Sequence, residues 1–264
     1  MAGLELDIVA LLAVVAVAAG FVDAIAGGGG MITVPALMLA GLDPVTAVAT
    51  NKLQGTFGVA VATHRFARAG MIDWHGAAPF AVVAGIAAVI GALAVKVLPV
   101  ALVAAAMPIL LMAIAVYFAV SRKVRDEDAR ARIGRLAFTF AVVAPVGFYD
   151  GLLGPGAGSF YMLGFVTLLG FGVVRATAHT KLLNFASNLG GLMLFAATGA
   201  VLWPLGLAMA AGQLVGARLG AGMALRHGAR LIRPLIVAVC CLMALRLLLD
   251  GANPLGQWLR GLLL

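Results

Sequence analysis

Four ionisable residues lie deep inside the apolar runs of this chain: Asp23, Lys52, Asp150 and Lys181. Each charge held at membrane depth costs about 2.5–3.5 kcal/mol on insertion scales, so one that stays there has a counter-charge or a ligand. Their settings repeat. Gly20-Phe21-Val22-Asp23 runs on to Gly27-Gly28-Gly29-Gly30, and Gly147-Phe148-Tyr149-Asp150 runs on to Gly154-Pro155-Gly156-Ala157-Gly158. Backbone that cannot be helical is tolerated in a membrane only where it is buried in protein or lines a cavity.

The lysines keep polar company. Thr50, Asn51 and Gln54 surround Lys52; His179, Thr180, Asn184, Ser187 and Asn188 surround Lys181. An oxyanion needs such a set, a positive charge to offset desolvation and directional donors for its oxygens. A helix starting after Gly30 or Ala157 adds backbone N–H groups and the positive end of its dipole. The expected substrate-binding residues are therefore Lys52, Lys181, Asn51, Thr50, Thr180, His179, Asn184, Gly29, Gly30, Gly158 and Ser159. An ionised carboxylate repels an oxyanion, so Asp23 and Asp150 are assigned to proton coupling or gating. The competing reading is two buried ion pairs that only fix helix packing, since opposite charges cancel and polar side chains also glue helices together.

The elements that must position these residues are membrane helices. Of 264 residues 64% are hydrophobic and 11% charged, and mean hydropathy is +1.12; soluble domains carry about a quarter charged residues. The fold class is an all-α polytopic bundle. The net charge of +8 does not indicate nucleic acid, because the arginines cluster between apolar runs, as the positive-inside rule requires. Adjacent Cys240 and Cys241 read as small apolar fillers. Ala24-Ile25-Ala26 looks like a signal-peptide cleavage site, but Glu5 and Asp7 precede it with no Lys or Arg, and the segment recurs at 147. It reads as mature protein.

The apolar runs at 31–41 and 159–171 follow the glycine breaks and are too short to cross, so each is expected to be a half-helix or re-entrant element. The expected organisation is a first membrane repeat over 1–120, a charged cytoplasmic linker over 121–135, a second repeat over 136–252 and an amphipathic tail over 253–264. Asp23 matches Asp150 at an offset of 127; Lys52 and Trp74 match Lys181 and Trp203 at 129. Arg65 and Arg68 mark loop 64–73 as cytoplasmic, yet its repeat equivalent, 193–202, has no charge. Positive loops in one half answering bare loops in the other imply inverted topology, with both termini outside.

Other chemistries fit poorly. Met31-Ile32 follows the glycine run where a phosphate loop needs Lys-Ser or Lys-Thr. His64, His75 and His227 lack Cys or Asp partners at ligand spacing, so neither metal nor cofactor is expected, and no enzyme activity. Gly212, Gly216 and Gly220 are spaced for close helix packing.

The glycine run at 27–30 ahead of Pro35 and Gly41, Ala49-Thr50-Asn51-Lys52, the second break at 154–158, His179-Thr180-Lys181, Gly199 with Trp203 and the Gly212/Gly216/Gly220 ladder together resemble the TauE/SafE family. That resemblance spans about 8–250 and implies passage of small sulfur-containing anions, sulfite or organosulfonates, across the bacterial plasma membrane without ATP. The second break departs from it in reading Gly-Pro-Gly-Ala-Gly. The expectation is a secondary transporter exporting such an anion, its partners being the anion, the lipid bilayer and protons as coupling ion, with no nucleic acid; a homodimer is compatible with the sequence. The alternative is a passive anion channel or non-transporting scaffold.

Cysteines introduced at positions 3 and 200 are expected to react with an impermeant reagent from outside, and those in 126–128 only from the cytoplasmic face. Residue 200 sharing a side with 126–128 would remove the inversion.

Overall fold

The computed structural model describes residues 6–94, 100–121, 125–154 and 156–249, with Leu255 and Gln257. Lys96, the Leu98-Pro99 turn, Pro155, Asp250 and nearly all of the 253–264 tail lie outside the described residues. The described residues form helices and connecting turns: α1 (Leu6–Ala26), α2 (Gly29–Leu39), α3 (Pro44–Arg68), α4 (Trp74–Ala94) and α5 (Val100–Val120), then α6 (Arg135–Leu152), α7 (Ala157–Thr167), α8 (Val173–Ala197), α9 (Trp203–His227) and α10 (Ala229–Leu249). Four of them, α1, α4, α6 and α10, are long and apolar enough to cross a membrane. This is a multi-pass, all-α membrane protein.

Local chemistry sets the boundaries. Gly27 and Gly28 at φ 77° and 107°, and Gly154 and Gly156 at 88° and 86°, end one helix and start the next in left-handed backbone that side chains resist. Asp43 accepts from the N–H groups of Val45 and Thr46 and caps α3, with Pro44 in the first turn. Within α6 the turn at Thr139–Val143 is wide. Pro145 cannot donate to the carbonyl four residues back and crowds it, which a wide turn relieves.

Helices α2 and α7 have 11 residues each, about 16 Å, half the hydrocarbon thickness. Both turn back. Leu37 near the end of α2 joins Leu12 and Ala16 of α1 and Met209 of α9. Leu168, just past α7, accepts from Arg132 N–H in the linker that leads to the start of α6. The α2 half-helix begins two residues earlier than the glycine run alone suggests, because Asp23 Oδ1 accepts from Gly28 and Gly29 N–H at 3.0 Å each and caps it from outside.

The main packing partnerships cross between the halves in exchanged pairs. Helix α1 lies along α9 and α6 along α4; α3 packs on α9 and α8 on α4; α3 meets α8, and α5 meets α10. Glycine makes the closest of these possible. Cβ atoms on Gly212, Gly216 and Gly220 would fall on the carbonyl oxygens of Ala13, Val17 and Phe21, and on Gly147 and Gly151 on those of Ala84 and Ala88. In lipid, where apolar burial drives little association, such backbone approach is what holds helices together.

At one end the linker clasps both halves. Asp126 accepts from Ala229 N–H at the start of α10. Asp128 accepts from Gly172 N–H at 2.7 Å and pairs with Arg175 at 2.5 Å; Asp73, before α4, pairs with Arg135 at 3.0 Å. Partial burial raises the Asp128 carboxyl, but the Gly172 N–H and Arg175 outweigh it and leave it below its ordinary value. At the opposite end Leu42, before α3, and Leu202, before α9, share one cluster with Ile8. The 69–73 and 198–202 loops therefore lie at opposite ends.

Gly216→Val should cost about 1–3 kcal/mol or more, because the added carbons meet the α1 backbone rather than a movable side chain. Gly134→Ala, with open space around it, serves as the control. Melting temperatures in one detergent compare them; a Gly216 variant as stable as the control would contradict the backbone contact.

Candidate functional site

The two glycine breaks meet at the centre of the bundle. A Cβ on Gly27 would stand 3.1 Å from the Cα of Gly158, so the start of α7 touches the end of α1 backbone to backbone. Beside this contact lies a cavity of about 50 Å³ lined by Asp23, Gly28–Gly30, Asn51, Lys52, Asp150, Gly158, Asn184, Asn188 and Gln213, among others. The space admits water-sized groups.

Each lysine reaches across to the other half's aspartate. Lys52 Nζ donates to Asp150 Oδ1 and to its main-chain oxygen, both at 2.9 Å, and Ser187 Oγ donates to Asp150 Oδ2. Gly191 on α8 leaves room for the Lys52 stem. Lys181 Nζ donates to the main-chain oxygen of Asp23 and stands 3.8 Å from its Oδ2. The two pairs are not equal. Asp150 is almost fully buried and clamped by Lys52, whereas Asp23 is partly open to the cavity and spends its other oxygen on the start of α2. In the second half position 155 is proline, which has no N–H to offer.

The carboxamides complete the donor set. Asn51 Oδ1 accepts from Thr33 Oγ1 at 2.5 Å and Gln54 Nε2 at 3.1 Å, which fixes its NH2 group as the free end. That group lies over Gly30, where a Cβ would come within 2.9 Å of it, and Asn184 Nδ2 lies over Gly158 at the same separation. Gly30 and Gly158 are each second in their half-helix, where first-turn N–H groups lack helical acceptors. Two Asn–glycine donor pairs, one from each half, thus flank the cavity. Asn184 Oδ1 is buried with no partner among the described residues.

Of the residues singled out from sequence, Asp23, Gly29, Gly30, Asn51, Lys52, Asp150, Gly158 and Asn184 line this cavity. The others stand apart from it. Thr50 accepts from Leu202 N–H at 3.1 Å. Ser159 Oγ faces Ala26 O and Cys240 Sγ, each at 3.5 Å. Thr180 is buried beside Gly158, and Lys181 lies behind Asp23. His179 hydrogen-bonds Arg175 O, packs on Phe165 and Phe171, and lines a separate cavity with Asp73 and Arg135 near the linker. Gln213 and Asn188 also line the central cavity. Gln213 is a lone amide in the glycine ladder of α9, and that polarity in an apolar stripe was its only sequence signal.

A polytopic helical bundle with a charged, donor-lined cavity where its halves meet defines a membrane transporter. The chain belongs to the TauE/SafE family: the model described as "Sulfite exporter TauE/SafE" matches residues 12–247. It is 48% identical to a probable membrane transporter protein, ORF9, of Sinorhizobium sp, over 98% of this chain and 99% of that one. It is 44% identical to the probable membrane transporter protein YfcA of Escherichia coli K12, over 93% and 91%, and 40% identical to one of Haemophilus influenzae, over 93% and 96%. No solved structure matches the chain.

Lys52→Ala strands a buried carboxylate and is expected to cost about 3–5 kcal/mol. Lys181→Ala should cost less, since Asp23 keeps two backbone donors. Adding Asp150→Asn to Lys52→Ala should recover most of the loss. Chemical or thermal unfolding of the three variants decides it, and equal losses for both lysines would contradict the asymmetry.

Proposed function

We propose that this protein is a secondary transporter of a small sulfur-containing oxyanion, sulfite or a short organosulfonate, bound at the centre of two inverted-topology repeats with both termini outside. The observation that carries the reading is the convergence on one cavity of Lys52, Asp23, Asp150 and the two Asn–glycine donor pairs. The cavity, lined by charged and amide groups, suits a compact anion. Equivalent loops at opposite ends, and packing partners that exchange between halves, support the inversion. Transport without ATP agrees with the lack of a nucleotide loop in the sequence.

Charge balance supports proton coupling. With all four residues ionised the site is neutral, so an anion alone would leave a net negative charge beside Asp150, repulsive by about 4 kcal/mol at 4 Å and an effective dielectric of 20. A proton on Asp150 keeps the site neutral and releases Lys52 to the anion. The anion and proton therefore enter together, and the gradients set the direction; export follows where the anion accumulates inside. The packing-only reading accounts for both ion pairs, but leaves unexplained an unpartnered Asn184 carbonyl and polar side chains around a cavity.

Proteoliposomes are expected to show saturable flux of sulfite or a sulfonate, accelerated by a pH gradient. Asp150→Asn should retain binding and flatten the pH dependence, while Lys52→Ala should weaken binding at least tenfold, about 1.4 kcal/mol. Flux that never saturates would favour a channel, and no flux from folded protein a scaffold.

A further inference from the structure

Gln213 is 2% exposed, lines the central cavity, and has no hydrogen-bond partner among the described residues. An amide so placed is costly unless something else satisfies it. Its seat is built for it. Cβ atoms on Gly20 of α1 and Gly58 of α3 would each stand 2.6 Å from Gln213 Oε1, so both helices lack side chains where the amide lies. Oε1 rests against these glycines, and Nε2 is the other end of the amide. Counting back the 129 residues that relate the lysines, the first-half counterpart is Ala84, opposite Gly147. The Asn51 and Asn184 donor pairs, themselves at different repeat positions, are thus joined by a third carboxamide from the second half.

We infer that Gln213 is a specificity-determining residue of this site, which, granted the transport reading above, donates Nε2–H to a third oxygen of the anion. Asn51, Asn184 and Gln213 come from α3, α8 and α9 and converge on one cavity. Three neutral donors from three directions match a head group with three oxygens around one atom. A planar carboxylate has only two oxygens to offer, and a halide has no directional acceptor and loses little when one donor goes. Lys52 supplies attraction for any anion; the third amide supplies preference among them.

The test compares binding of sulfite, methanesulfonate, acetate and chloride to the purified full chain, wild type against Gln213→Leu and Gly58→Ala. Leucine keeps the bulk and removes the donor. The three atoms nearest a Gly58 methyl all belong to the Gln213 side chain, so it displaces the amide without altering it. Both variants should lose about tenfold to a hundredfold in sulfite and methanesulfonate affinity, with acetate and chloride changed less than about threefold. In a Gln213→Ala background Gly58→Ala should add nothing. If Gln213→Leu is not recovered folded, Gly58→Ala and this double variant carry the test. Unchanged preference for three-oxygen anions in the variants, with saturable binding by the wild type, overturns the role of Gln213 alone. A wild type that binds none of the four anions overturns the transport reading and this assignment with it.

Discussion

The constraint on which this structure depends is that a lysine and an aspartate from opposite halves must find each other in a medium with no water. Lys52 meets Asp150, and Lys181 meets Asp23, across the same interface. Any of the four charges left unpaired there would be costly. The ion pairs link α3 to α6 and α8 to α1 through side chains, and the small-residue contacts of α1 with α9 and of α4 with α6 follow the same crosswise plan. Buried ion pairs are weak contributors to stability when replaced by apolar groups of equal volume. Here they sit on a cavity, where a residue's charge can be lent to a ligand.

The glycine breaks solve a second problem. A chain that reverses at mid-membrane exposes N–H groups that lipid cannot satisfy. In the first half Asp23 takes two of them, so the carboxylate that answers Lys181 also caps α2. In the second half proline at 155 removes a donor, and Asp150 is committed to Lys52 and Ser187 instead. Two copies of one motif have thereby acquired different duties. One aspartate is tied to backbone geometry, and the other to a side chain that binding could compete for.

At the linker end the Asp126, Asp128 and Asp73 contacts tie the 125–135 stretch to α8, α10 and the start of α4. The linker is not a loose tether between repeats. Its carboxylates satisfy helix starts in the second half, and its arginines remain at the surface. The aromatic cluster of Phe80, Phe138, Phe165 and Phe171 closes the bundle beneath it, with His179 packed among the rings. That packing, rather than a place beside Lys181 in the site, accounts for His179.

The sequence by itself determined the helical membrane class and the two half-helices, and it singled out Asp23, Asp150 and Lys52, which the fold brings to one cavity. Composition, left-handed glycine and the price of charge in hydrocarbon act locally and are legible one segment at a time. The pairing of each lysine with the other half's aspartate was decided only by the fold, because it depends on which helices cross. So was the sorting of the polar residues on α3 and α8. Thr50 and Asn51 are neighbours in sequence, yet about 100° apart around a helix, so one meets Leu202 and the other the cavity. Thr180 and Lys181 are buried in packing while Asn184, one turn on, faces the space. Gln213 is the clearest case. Nothing beside it in the chain marks it, and its role depends on the glycines of two other helices that leave room for its amide.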